Sequence, residues 1–251
     1  ERYRSLKKVA WEPGDLNVVI GPNGSGKSNL VRALELIAMS ARAELEKQVE
    51  KEGGMIPMSW DGNPLGGIAW SVTMARPPAE LAPFVLSDSQ NQEFVAAKYE
   101  LALGSWLTPA GFGISHETLE AYWRENADKT GKSEKILVRD LNGGMVWYNN
   151  RSQLEPVEPR NLPDESLLSK VWGLRPEADY FRDSLRSWSI HRTIVTGENS
   201  EMRQAAVTRN EKVLAPDGRN LPSVHHTLCN ENRGFEEEIQ RAMNAAFGDA
   251  F

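Results

Sequence analysis

Residues 18–37 read VVIGPNGSGKSNLVRALELI. Within them Gly21-Pro22-Asn23-Gly24-Ser25-Gly26-Lys27-Ser28 fits the phosphate-loop pattern G-x-x-x-x-G-K-[ST] in full. The flanks suit it. Leu16 to Ile20 is apolar and β-branched, which predicts a short buried strand. From Lys27 onward Leu30, Leu34, Ile37, Ala41 and Leu45 recur at helical spacing, so a helix is expected to run on to Gly53-Gly54. Each loop residue has its own physical reason. Gly24 and Gly26 permit backbone conformations and close approach that a Cβ would block. Successive backbone N–H groups then converge on phosphate oxygens at a helix N-terminus, where the dipole is positive, and Gly21, Asn23, Ser25 and Asn29 complete the expected nucleotide-binding set. Lys27 supplies a point charge for phosphate and is the expected catalytic residue. Ser28 supplies a hydroxyl for Mg²⁺.

Working outward, the 251-residue chain suffices for one large domain or a core with an insertion. One cysteine, Cys229, excludes an internal disulfide and a multi-cysteine metal site. The net charge of −6 weighs against a dedicated nucleic-acid surface but leaves a local basic groove open. No apolar run reaches the roughly 18 residues that a membrane span needs. The chain opens at Glu1 without a secretory signal, so the cytoplasm is the expected location.

Three segments follow: a phosphate-loop core over 1–54, an antiparallel β-rich block over 55–160, and a helical or mixed segment over 161–251. Strands are predicted at Ile68–Met74 and Phe94–Leu103, and a hairpin joins Ile136–Arg139 to Met145–Tyr148 across Asn142-Gly143-Gly144. The stretch TLEAYWRENADKTGKSEK reads as a polar loop or short helix. Helices are predicted in PDESLLSKVW, with Asp164 as N-cap, in RPEADYFRDSLRSW, in LPSVHHTLC and in RGFEEEIQRAMNAAFGDAF. The last places Phe235, Ile239, Met243 and Phe247 on one face. Trp188–Val195 reads as a strand. Trp60, Trp70, Trp106, Trp123 and Trp147 enrich the middle block, as core packing or as a docking face.

The filling of the loop, GPNGSGKSNL, closely resembles the head ATPases of the ABC superfamily, in the branch of RecF-like and structural-maintenance-of-chromosomes-like proteins. Bacterial AAA-family ATPases of the OLD/RecF-like type share it. Tyr3-Arg4-Ser5-Leu6-Lys7 and Trp11-Glu12-Pro13-Gly14-Asp15-Leu16-Asn17 are similar to the two antiparallel strands that open such heads. The resemblance is strong over 1–37 and 213–251 and looser between. It implies an α/β fold, a P-loop NTPase of the ABC-head type with an antiparallel β-subdomain and helical segments. It implies ATP and Mg²⁺ as ligands, and ATP hydrolysis by two heads dimerised head-to-tail. It places Arg4 near the bound phosphates, the alternative being a solvated strand arginine. It makes Gln204 a candidate Q-loop glutamine, the alternative being a surface residue. It implies partners: a second copy, a nuclease or toxin effector in anti-phage defence, or DNA in repair.

Hydrolysis of this type also needs an apolar strand ending in Asp-Glu. Asp164-Glu165 follows RNLP, and Glu236-Glu237-Glu238 lies in an amphipathic helix, so neither qualifies. Leu86-Ser87-Asp88-Ser89-Gln90 imitates the family's signature motif, but Ser89 replaces its glycine and a strand-like run follows. His191, His225 and His226 read as hydrogen-bonded or surface histidines rather than ligands. Two expectations compete with the hydrolysing head: an ATP-gated scaffold or sensor that does not turn over, and a P-loop kinase-like phosphotransferase. The ending AMNAAFGDAF favours a head whose catalytic half lies beyond Phe251.

Overall fold

The computed structural model describes residues 1–63, 66–75, 92–105, 112–125, 131–139, 145–148, 154–157, 164–170, 173, 175–191, 196–204, 207 and 209–248. Two compact units divide the chain, Glu1–Trp188 and Ser189–Phe251.

The first unit is a sheet with helices on one face. After the loop, α1 spans Lys27–Arg42. It does not run on to Gly53 as the periodicity predicts. Ala43 turns left-handed at φ 59°, and its N–H closes on Met39 O. A second helix, α2 (Leu45–Lys51), and a single turn, α3 (Met55–Met58), follow. The break lets Leu45 and Val49 face the same core as Leu36, Ile37 and Ala41.

Six strands form one antiparallel meander in sequence order. They are β1 (Ile68–Ala75), β2 (Gln92–Gly104), β3 (Gly113–Glu125), β4 (Gly131–Arg139), β5 (Met145–Tyr148) and β6 (Leu154–Val157). The predicted hairpin is present, with Leu137 opposite Trp147 and Arg139 opposite Met145. The polar stretch TLEAYWRENADKTGKSEK corrects the sequence reading: its ends belong to β3 and β4. Along β3 its side chains alternate in direction. Leu119, Ala121 and Trp123 point into the core, while Glu120 and Tyr122 lie on the solvated face. There Lys98 stands opposite Glu120, Glu120 opposite Lys135, and Lys98 reaches Glu100 at 2.8 Å.

Two more helices close the core, α4 (Leu167–Lys170) and α5 (Pro176–Arg186). Ser166, not Asp164, directly precedes α4. Phe181 and Leu185 of α5 are fully buried, and Phe181 packs on Tyr99 with ring centroids 5.8 Å apart. Each such side chain contributes about 1.5–3 kcal/mol of burial. Arg42 of α1 donates to the carbonyls of Arg186 and Trp188, capping the end of α5. Trp123 is core, edge-on to Phe94 at 5.6 Å, and Trp70 packs partly buried against it. Trp60 is half-buried beneath Lys7 Nζ, while Trp106 lies outside the described residues.

Two sequence expectations fail at the chain's start. The opening strands and the Leu16–Ile20 strand are not formed. Only isolated bridges join Tyr3 to Leu6 and to Ser59. Leu16, Val18 and Ile20 are 86%, 77% and 87% exposed. Strand backbone and two apolar faces need neighbours on every side, and no described residue pairs with this run.

In the second unit α6 spans Leu221–Glu231 and α7 spans Phe235–Phe247. Residues before α6 are tied to it by Ser223 Oγ, which accepts from the Arg209 N–H at 3.2 Å, and by the Asn220 amide. On α7, Phe235, Ile239 and Met243 are half-buried and Phe247 is exposed. The predicted strand at Trp188–Val195 is absent over 188–191, and 192–195 lie outside the described residues. Among the described residues no helix is long and apolar enough to cross a membrane.

Candidate functional site

The loop lies at the free end of α1. This helix buries only its second half, Leu36 to Ala41, beneath the sheet. Ala33 and Leu34 pack partly buried against the core, and the loop ahead of the first turn is exposed to solvent. Gly24 and Gly26 adopt φ 81° and 94°, a region costly to residues with a Cβ. Gly26 serves as N-cap of α1 and offers no side chain to its orphan N–H groups.

Helix α1 is electrostatically unusual. Its first turn holds no acidic residue, and its first residue is Lys27. A cation at a helix N-terminus opposes the dipole, at a cost of about 0.3–1 kcal/mol. Lys27 Nζ folds back over the loop and donates to Gly21 O (2.7 Å) and Pro22 O (2.8 Å). Uncapped N–H groups, a lysine poised over them and glycines that leave room together fit a polyphosphate. Ser28 sits exposed at the second helical position, with Asn23, Gly24 and Ser25 also exposed. Asn29 Nδ2 donates to Ser5 Oγ at 2.8 Å.

Arg4 stands next to Ser5 in the turn that precedes the loop. Its guanidinium pairs with Glu52, at the end of α2, and lies 5.9 Å from the Tyr3 ring. Its residue neighbour Ser5 is what touches the loop. Gln204 belongs to the second unit, exposed just after a short 3-10 turn over Glu201–Arg203. The segment Leu86–Gln90 lies outside the described residues. Asp164 and Glu165 precede α4, where Glu165 pairs with Lys170 at 2.5 Å. His191 contacts Ser189 Oγ at 3.1 Å, and His226 contacts Asn230 at 3.2 Å. Among the described residues no group of three His, Cys, Asp or Glu could hold a metal.

Sequence reasoning did not single out Glu117. This carboxylate is fully buried in β3. It accepts the backbone N–H groups of Leu167 (2.9 Å) and Leu168 (3.0 Å), and the hydroxyls of Tyr99 (2.9 Å) and Ser166 (2.7 Å). Arg139 Nε approaches its other side at 3.6 Å. It caps α4 from the sheet and is structural. Burial, and then the Glu117 charge, hold the Tyr99 hydroxyl well above its usual pKa.

The fold is mixed α/β, and in it a loop of phosphate-loop pattern opens a helix on which the sheet packs. Comparison with known families agrees: residues 16–68 match the family described as "AAA domain, putative AbiEii toxin, Type IV TA system". That match supports an AAA-type, P-loop ATPase family for this part of the chain. No curated protein and no solved structure matches the chain.

Proposed function

We propose that this chain is the nucleotide-binding part of an ATP-hydrolysing, ABC-type head that closes on a second copy around ATP. The observation that carries the reading is the miscapped start of α1: a glycine cap, no acid in the first turn, and Lys27 folded over the loop. That arrangement is unfavourable alone and becomes favourable when phosphate oxygens accept the N–H groups. On this reading Lys27 exchanges its carbonyl partners for the β- and γ-phosphates, and Ser28 supplies a ligand for Mg²⁺. Bound Mg²⁺ would neutralise charge developing on the phosphates.

The exposed run Leu16–Ile20 supports the same reading. Its composition suits a strand buried within a parallel sheet, and its neighbours would come from residues other than those described. The acid that polarises the attacking water would come from the same place. The matched family's description names a toxin and a type IV toxin–antitoxin system. It favours a role beside a toxin or nuclease effector in defence over one in DNA repair.

The test compares the wild type with Lys27→Ala for ATP binding by calorimetry and for phosphate release. Loss of both in the variant is the expected result. Equal binding by the two proteins would overturn the nucleotide site. Binding without turnover, with or without DNA and effector, would overturn hydrolysis and leave an ATP-gated sensor.

A further inference from the structure

The turn formed by Tyr3–Leu6 stands between the phosphate loop and the two short helices that follow α1. It is clamped from behind. Tyr3 is buried, and the Tyr3 N–H and Leu6 N–H each donate to the other's carbonyl, at 3.0 and 2.7 Å. The Arg4 N–H donates to Met58 O at 2.7 Å, and its guanidinium is held by Glu52. Glu52 in turn accepts from Gln48 at 3.1 Å. The clamp is tight enough to hold Arg4 at φ 47°, a left-handed conformation that a non-glycine residue adopts only under constraint.

The front of the turn meets the loop. Ser5 Oγ accepts the 2.8 Å bond from Asn29. The same oxygen lies 2.9 Å from where a Cβ on Gly26 would stand, with Leu6 Cδ2 at 3.2 Å. One hydroxyl therefore bonds the third residue of α1 and fills the space beside its cap residue, Gly26.

We propose that Ser5 is a positioning residue for the phosphate loop, fixing Asn29 and backing Gly26 so that the loop is held open for a nucleotide triphosphate. The proposal rests on the nucleotide-binding reading. Its physical content is preorganisation: a loop already held needs less ordering when ligand arrives. Removing the Ser5 hydroxyl weakens binding without touching any group that would contact phosphate. In Ser5→Ala affinity therefore falls while turnover at saturation is retained.

The experiment uses the full chain as wild type, Ser5→Ala, Asn29→Ala, the double variant and Lys27→Ala. Ser5 is exposed, so its truncation leaves the buried Tyr3 anchor in place. Two readouts are taken: the Kd of a fluorescent ATP analogue with Mg²⁺, and backbone hydrogen exchange over residues 22–30 in ligand-free protein. Each single variant is expected to weaken binding about fivefold, the worth of one hydrogen bond. The double variant should bind no more weakly than either single, and loop exchange should quicken in both singles. Multiplying losses, unchanged affinity or unchanged loop exchange in Ser5→Ala would each overturn the brace. If Lys27→Ala binds as well as wild type, the nucleotide reading fails and the proposal falls with it. If Lys27→Ala loses binding while Ser5→Ala does not, the brace alone fails.

Discussion

The Tyr99 hydroxyl donates a 2.9 Å hydrogen bond to Glu117 Oε1, and neither residue is exposed to solvent. That bond is one of four made to a single carboxylate, which binds β2, β3 and the start of α4 into one unit. Glu117→Gln keeps the shape but replaces an acceptor-only group by one carrying an NH₂ that must face donors. It also removes the negative charge beside Arg139, itself only 3% exposed. Breaking a buried pair in this way costs about 3–5 kcal/mol. Urea unfolding should show the midpoint falling by that equivalent with the slope unchanged.

Tyr99→Phe tests the other half of the pair through pH. In the folded protein burial, and then Glu117, raise the Tyr99 pKa well above 10.0, while in the unfolded chain it ionises near that value. The folded state therefore keeps its proton where the unfolded state loses it. The associated stability is full below about pH 10 and is lost as pH rises above it. Tyr99→Phe should cost about 1–2 kcal/mol at neutral pH. It should also flatten the decline in stability above about pH 10, measured by thermal unfolding across pH 8–11.

These residues show which parts of the molecule local sequence can reveal. The phosphate loop was legible because its constraints are contiguous: glycines, lysine and helix lie within one short run. β1, β2 and the 136–148 hairpin were legible from alternation and turn chemistry. β3 was not, because His116, Glu117 and Glu120 look like surface residues. Glu117 is satisfied by Ser166, Leu167 and Leu168, about fifty positions away. The break at Ala43 has no glycine or proline to announce it; it exists because the core needs Leu45 and Val49 on the same side as Leu36 and Ala41. Leu16–Ile20 has the composition of a strand, but a strand is a relation between segments, and composition says nothing about its neighbours. Ser5 is an ordinary exposed serine until Asn29 is brought beside it.

Glu46 reads electrostatics between helix and loop. This exposed α2 residue has its pKa raised, first by the Asp164 charge and then by burial. A carboxyl with a raised folded pKa destabilises the fold once both states are ionised. The penalty vanishes as pH falls below the ordinary carboxyl value of 4.5. Glu46→Gln should therefore stabilise at pH 7 and give no gain near pH 3. Solvent screening limits the gain to about a few tenths of a kcal/mol. Differential scanning calorimetry of wild type and variant at the two pH values checks the sign.

Gly26→Ala tests whether the loop's shape, rather than its charge, is what nucleotide binding needs. At φ 94° an alanine is strained by about 1–2 kcal/mol. Its methyl would also meet Ser5 Oγ at 2.9 Å. Two relaxations are open: the cap residue swings out of its left-handed conformation, or the Ser5 hydroxyl moves away and releases Asn29. Either one misdirects the N–H groups at the start of α1 while leaving Lys27 and the overall charge intact. Of the residues packed on the core, the half-buried Leu6 lies beside this end of α1, so the unfolding midpoint should fall by little more than the local strain. ATP affinity should fall by about five- to thirtyfold, one such strain energy expressed in binding. A variant that binds ATP as tightly as wild type would show that the loop seen here is not the form that holds phosphate.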